Sequence, residues 1–433
     1  EGKAYFRIAG VDHAPDHQRL LWGFDDKGSE FFSLRVRDAD TKKDLDDIVP
    51  NTGGSGVWTP GSNGFFYTQL DDNHRPSKIF FHTLGADPKD DRLIYEEADT
   101  GMFVGVGGTR RNDWIMISIG DHETSEYRVL AAGDPLGPQT IVSPRETGLQ
   151  YDIEEGGDIF FILTNADGAK DFKVMTAPAS DPVRANWQEL IPHQPGRLIL
   201  SLQSFKDFLV RLERVDSLPR IVVRDRRSGE EHLIAFDEEA YSLGLSGSYE
   251  YDTDTMRFTY SSMTTPAQVF DYDMRTRERT LRKTQEVPSG HDPKDYVTRR
   301  LMARSFDGAM VPISLLHRRD FKNDGKAPCL LYGYGAYGHA IPASFNTNCL
   351  SLVDRGFVFA IAHVRGGKDK GYAWYEDGKR EKKVNTFHDF IAVARHLQAE
   401  GFTSPDRTIA QGGSAGGMLM GAIANMAPEF FGG

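Results

Sequence analysis

Six times within residues 1–285 the chain repeats one short element: a strand, a polar turn of Asp, Asn, Gly, Ser or Pro, and a second strand of β-branched and aromatic residues. The residues that open the second strand are Glu30, Lys78, Glu126, Asp171, Arg220 and Gln268, at spacings of 48, 48, 45, 49 and 48. Such a period, with several short alternating strands per unit and little helical patterning, fits four-stranded propeller blades better than a sandwich. The competing reading is an irregular all-β domain in which the near-equal spacings are accidental. Blades bury their faces on each other around a ring, and an incomplete ring would leave open edges. A seventh blade is therefore expected to be missing from the N-terminus. Asp12, His13, Asp16 and His17 could be read as a metal cluster. No further ligand pair at metal spacing accompanies them, so APDHQRLLWGF reads better as a turn entering a strand.

At 433 residues the chain can build more than one core. Its 51 Lys+Arg against 63 Asp+Glu leave a formal charge of −12, with no basic run. That balance argues against a nucleic-acid partner, because phosphate affinity needs a basic face. It is compatible with cationic substrates. The two cysteines, Cys329 and Cys349, form no paired framework, so a reducing compartment is the default. No stretch approaches the roughly 18 apolar residues of a membrane span, and the first residues lack a signal-peptide pattern. The expectation is a soluble protein with no membrane partner, cytoplasmic unless a signal, such as a periplasmic one, was lost with an N-terminal segment.

Around residues 285–296 the sequence concentrates Pro, Gly and Asp, and the periodicity changes. The expected domains are residues 1–288, an N-terminally incomplete β-propeller, and residues 289–433, an α/β-hydrolase domain that ends after its nucleophile helix. Asp307-Gly308 joins two strands with a strong hairpin signal. Alternating α and β follow: strands over Ala327–Tyr332, Phe357–Val364 and Arg407–Gln411, and a helix from about Asn385 to Glu400. Phe387, Phe390, Ile391, Ala394 and Leu397 fall on one face of that helix. This order belongs to doubly wound α/β architecture.

Gly412-Gly413-Ser414-Ala415-Gly416 satisfies G-x-S-x-G, which places a serine on a strained strand-to-helix turn with its hydroxyl exposed. The pattern alone is weak; a strand before it and a helix after it strengthen it. The bland alternative is a Gly-rich helix N-terminus that only packs. An elbow also aligns the amide of Ala415 with a developing oxyanion, at the favourable end of the helix dipole. A second loop, Leu331–Gly338, contains G-x-G-x-x-G with Asp354 lying 21 residues beyond Gly333, which resembles a dinucleotide fingerprint. Asp354 precedes the next strand instead of ending it, so the ribose contact would be misplaced. The better reading is a loop flanking the nucleophile, where a tyrosine hydroxyl donates to an oxyanion.

The motifs YGYGAYG, HVRGG, WYEDGK, NTFHDF and GGSAGGMLMG, in that order, resemble the prolyl oligopeptidase family of serine peptidases. Stretches such as GSEFFSLRVRD, DDNHRPSKIFFHTLG and YSSMTTPAQVFDYD extend the resemblance through the repeats, so it covers essentially the whole chain. It implies a seven-bladed propeller over an α/β-hydrolase domain, which admits only short peptides. It implies Ser414 as the nucleophile, Ala415 N–H and the Tyr334 hydroxyl as the oxyanion hole, and Tyr337 lining the substrate site. The members most alike cleave after Arg or Lys, which implies short basic peptides as substrates. No metal or cofactor is needed.

The sequence departs from the family pattern in three ways. In the hydrolase order Asp and His follow the nucleophile, yet none of the 19 residues after Ser414 is Asp or His. The chain is therefore expected to be an internal portion of a longer enzyme, inactive in isolation. His363, His388 and Asp389 lie upstream, the last two at a helix start where solvation or capping is expected. Lys368, Asp369 and Lys370 add charge near the HVRGG turn, and Pro342 and Ser344 stand where some relatives carry acids for a second basic side chain. Two other classes remain open: a binding propeller with a hydrolase remnant, and a related serine exopeptidase or esterase.

Overall fold

The computed structural model describes residues 2–247 and 250–433. They pack as two compact units, one running to Asp167 and including Val174–Ile191, the other made of Gly168–Lys173 and Pro192–Gly433. The first unit is built of antiparallel sheets, and several of their strands alternate buried and half-exposed residues. Trp114–Gly120 buries Ile115, Ile117 and Ile119 and leaves Trp114, Met116 and Ser118 half exposed. Side chains on a strand point to opposite faces in turn, and each buried Ile is worth about 1.5–3 kcal/mol.

A seven-stranded sheet runs from Arg7–His13 to Arg92–Glu96. Its central strand, Asp44–Trp58, is 15 residues long and changes partner along its length. The first part pairs with Phe32–Asp38 as far as Phe32↔Thr52, and the end pairs with Gly64–Leu70 through Gly56↔Tyr67 and Trp58↔Phe65. Gly53-Gly54-Ser55-Gly56 occupies the switch. Gly54 has φ 90, and a Cβ on Gly56 would stand 2.6 Å from Leu21 Cδ2, so side chains are excluded where the strand bends between partners. The seven strands are thus two four-stranded meanders sharing one strand. Four further sheets have four antiparallel strands each, two ending in Thr140–Ile141 and Gln188–Ile191 and two more in the second unit. The repeat strands read from sequence are the third strand of each of these six meanders, as in Phe32–Asp38, Pro76–Thr83, Ser125–Ala131, Lys173–Pro178, Leu218–Asp225 and Gln268–Asp273.

The rest of the second unit is α/β. Strands β1 (Tyr296–Arg304) and β2 (Met310–Arg318) form the hairpin expected at Asp307-Gly308, where Gly308 takes φ 90. Then follow β3 (Cys329–Tyr332), α1 (Thr347–Val353), β4 (Val358–Ala362), α2 (Tyr372–Glu376), α3 (Val384–Ala399), β5 (Thr408–Gln411) and α4 (Ala415–Met426). The sheet order is β1-β2-β4-β3-β5, with β4, β3 and β5 parallel. The strand β4, VFAIA, is buried throughout because helices and neighbouring strands cover it. Helix α3 buries Phe390, Ile391, Ala394 and Leu397 against this sheet, with Phe387 partly buried beside them. Asp354 caps α1 and accepts hydrogen bonds from Tyr296 Oη and Arg318, roles that belong to the scaffold. Near the N-terminus, Asp16 and His17 form a turn after Arg7–His13, with His17 at φ 60.

Candidate active site

Ser414 sits between β5 and α4 with φ 55 and ψ −122, a left-handed conformation that costs a non-glycine residue energy. The side chain is exposed. Glycines make the turn possible. A Cβ on Gly412 would stand 2.5 Å from Gly416 O and 3.0 Å from Gly333 O. A Cβ on Gly333 would enter the Phe390 ring at 2.6 Å. The amides of Gly416 and Gly417 donate to Gly413 O and Ser414 O. The amide of Ala415 stands at the helix N-terminus, where the dipole favours negative charge.

The loop after β3 is brought alongside by the parallel register Tyr332↔Gln411 and by Gly333 N donating to Gln411 O at 3.0 Å. Tyr334 therefore lies against the first turn of α4, its Cδ2 3.5 Å from the position of a Cβ on Gly416. Its ring meets His339 edge-on, with centroids 5.5 Å apart. Lys383, whose ammonium is held below its ordinary pKa by burial, donates to Gly335 O and ties the loop to the start of α3. Tyr337 is 70% exposed at φ 55, on the same loop.

The upstream candidates have other partners. His363 Nδ1 is 2.8 Å from Asp369 Oδ1 and its Nε2 is 2.8 Å from Ser314 Oγ, all three residues buried. Asp389 corrects the expectation of solvation or capping: α3 begins five residues earlier, at Val384, and Asp389 is fully buried. Its carboxylate accepts from Arg365 N at 3.0 Å, Nε at 2.9 Å and Nη2 at 2.6 Å, and from Ser305 Oγ at 2.6 Å. Arg365 also pairs with Asp307, whose carboxyl it holds below its ordinary pKa, and lies between the rings of Phe306 and Trp374. His388 packs on Phe306 at 4.5 Å. The charges after HVRGG are likewise absorbed: Lys368 lies over the Tyr372 ring and Lys370 donates to Met310 O. Sequence reasoning missed Ser314, Ser305 and the partnership of Arg365, because these contacts join positions 24 to 84 residues apart.

In one chain, four-stranded meanders are thus joined to an α/β sheet that carries a G-x-S-x-G elbow beside a tyrosine loop, the arrangement of a nucleophile elbow. Residues 1–285 match the model for the N-terminal β-propeller domain of prolyl oligopeptidase, and residues 343–433 match that of the prolyl oligopeptidase family; the chain belongs to this family. It is 40% identical to a dipeptidyl aminopeptidase BI of Pseudoxanthomonas mexicana over 99% of its length and 59% of the relative's. To a protease 2 of Moraxella lacunata it is 35% identical, over 99% and 61%. Among solved structures, oligopeptidase B of Leishmania major superposes with TM-score 0.93 at 32% identity, covering 99% of this chain and 62% of that one. Oligopeptidase B of Trypanosoma brucei, solved in a closed form with covalently bound antipain, gives 0.92 at 36%, covering 99% and 62%. The chain thus spans about three-fifths of the length of these relatives.

Proposed function

We propose that the protein works as a serine oligopeptidase that hydrolyses short peptides on the carboxyl side of Arg or Lys. The observation that carries this reading is the strained, exposed Ser414 with Tyr334 held against the first turn of the following helix. Ser414 Oγ attacks the scissile carbonyl, and the oxyanion takes hydrogen bonds from Ala415 N–H and Tyr334 Oη. A general base takes the Ser414 proton on attack and returns it to the leaving amine on collapse, which leaves an ester on Ser414 that water hydrolyses. Tyr337 offers its ring to the substrate, and the propeller, taken as residues 1–288 ahead of a catalytic domain at 289–433, limits access to small peptides. The basic preference is supported by likeness to the oligopeptidase B structures. No Asp or His follows Ser414 in the sequence, and His363 is committed to Ser314 and Asp369, so these 433 residues alone are expected to be inactive. Among the described residues no helix is long and apolar enough to cross a membrane.

The test uses protein isolated from its natural source, a fluorophosphonate probe and a panel of fluorogenic peptide amides. Labelling at Ser414 with turnover after Arg and Lys supports the proposal. Turnover by the 433-residue polypeptide alone would sink its last part. The likeness to a dipeptidyl aminopeptidase favours a second reading, removal of dipeptides from a free N-terminus. Blocking the substrate's N-terminus separates the two, since only the exopeptidase reading loses activity.

A further inference from the structure

Within the second unit, a cavity of about 440 Å³ opens between the strands Phe208–Val215 and Tyr241–Leu245 and the segment Gly338–Ala343. One wall carries Arg214. Burial disfavours its charged guanidinium, and the only charge that offsets this is Asp369. Asp369 has other commitments: its Oδ1 faces His363 Nδ1 at 2.8 Å and its main-chain oxygen accepts from Ser217 N at 2.7 Å. Arg214 forms no ion pair among the described residues. Ser217 lines the same cavity, and its Oγ is buried without a hydrogen-bond partner. It is held there by a strained turn, Asp216 at φ 53 and Ser217 at φ 69, to whose Asp216 O the Arg300 guanidinium donates. Arg214 and Ser217 thus line one cavity with a guanidinium that has no ion pair and a buried hydroxyl that has no acceptor, beside the Asp369 carboxylate in the same lining.

We propose that this cavity binds a ligand carboxylate, held bidentate by the Arg214 guanidinium and by a hydrogen bond from Ser217 Oγ. Arg300 adds a second cation to the lining, against the single carboxylate of Asp369. The lining includes His339, on which the Tyr334 ring rests, and we take the free C-terminus of a short peptide as the source of the carboxylate. The peptide as source rests on the proposed function; the carboxylate chemistry does not.

Titration calorimetry on the Ser414→Ala protein, with N-acetyl-triglycine, its C-terminal amide and succinate, tests the site without turnover. The acid is expected to bind at least tenfold more tightly than the amide, with the preference reduced to within twofold in Arg214→Met. Equal binding of acid and amide, or no binding of any acid at millimolar concentration, overturns the proposal. So does a preference that survives Arg214→Met. Succinate binding as tightly as the peptide acid supports the site and identifies small organic acids as its source. If Arg214→Met fails to fold, the acid-to-amide comparison and a several-fold loss of acid binding in Ser217→Ala still decide. Acid preference without peptide hydrolysis by the natural protein would discard the oligopeptidase reading and leave this one standing.

Discussion

Tyr334 and Asp389 are both polar residues near the serine elbow, and their surroundings give them opposite kinds of work. Tyr334 has its ring packed against His339 and the first turn of α4, and in the proposed reaction its hydroxyl meets the developing charge. Tyr334→Phe is expected to leave folding intact and lower kcat on peptide amides about 10²- to 10³-fold in the natural protein, with a smaller change in KM. An unchanged kcat would remove the tyrosine from the oxyanion hole. Asp389 is enclosed, and all of its bonds go to Arg365 and Ser305. Asp389→Ala leaves the Arg365 charge with Asp307 alone, and breaking such a buried pair costs about 3–5 kcal/mol. A shift in the urea midpoint equivalent to under about 1 kcal/mol would show that the pair is not structural.

At the scale of elements, close approach and buried charge decide what each strand and turn can tolerate. Gly412→Ala pushes a methyl group against Gly416 O, so β5 and α4 must separate. Loss of fluorophosphonate labelling at Ser414 is expected, with far-ultraviolet circular dichroism retained. In the first unit His82, on Pro76–Thr83, joins Asp91 Oδ1 at 2.7 Å to Asp47 Oδ1 at 3.0 Å and so fastens the long strand Asp44–Trp58 to the turn before Arg92–Glu96. Burial disfavours the charged ring, but the two carboxylates outweigh it and raise its pKa. A group charged more readily when folded than unfolded stabilises fully below its unfolded value of about 6.5 and loses that contribution as pH rises through the folded value. The urea midpoint of the natural protein should therefore fall as pH rises above about 6.5, and His82→Gln should flatten that slope. Equal slopes in both would contradict it.

Across the whole second unit, one hydrophobic cluster ignores the expected boundary at residue 288. Ala240 and Met263, from the last meander, share a core with Tyr296, Leu316, Ala343, Leu350, Phe359 and Ile361 of the α/β part. Phe345 N donates to Ser261 Oγ at 2.9 Å, and His291 packs between Tyr296 and Phe345. Residues 281–286 are exposed on the surface. Limited proteolysis should cut there, and the two pieces should stay together on gel filtration until denatured. Pieces that part under native conditions would show that the shared core contributes little.

Much of this protein is legible along the chain. The 48-residue period, the alternation of Trp114–Gly120 and the strand, glycine and helix around Ser414 are local patterns, and a strand's pleat or a helix's turn reads them residue by residue. Local pattern also marked the glycine-rich loop after a strand as one flanking the nucleophile, while the choice of Tyr334 on it came from the family resemblance. It did not show that Asp44–Trp58 serves two meanders, because the sharing depends on which strands pair at each end. Nor did it show that Asp389 would face Arg365 or that His363 would join Ser314 to Asp369. Those partners meet only when β1, β2, β4 and α3 are stacked, and burial then turns a charge that sequence assigns to solvent into one that must be paired.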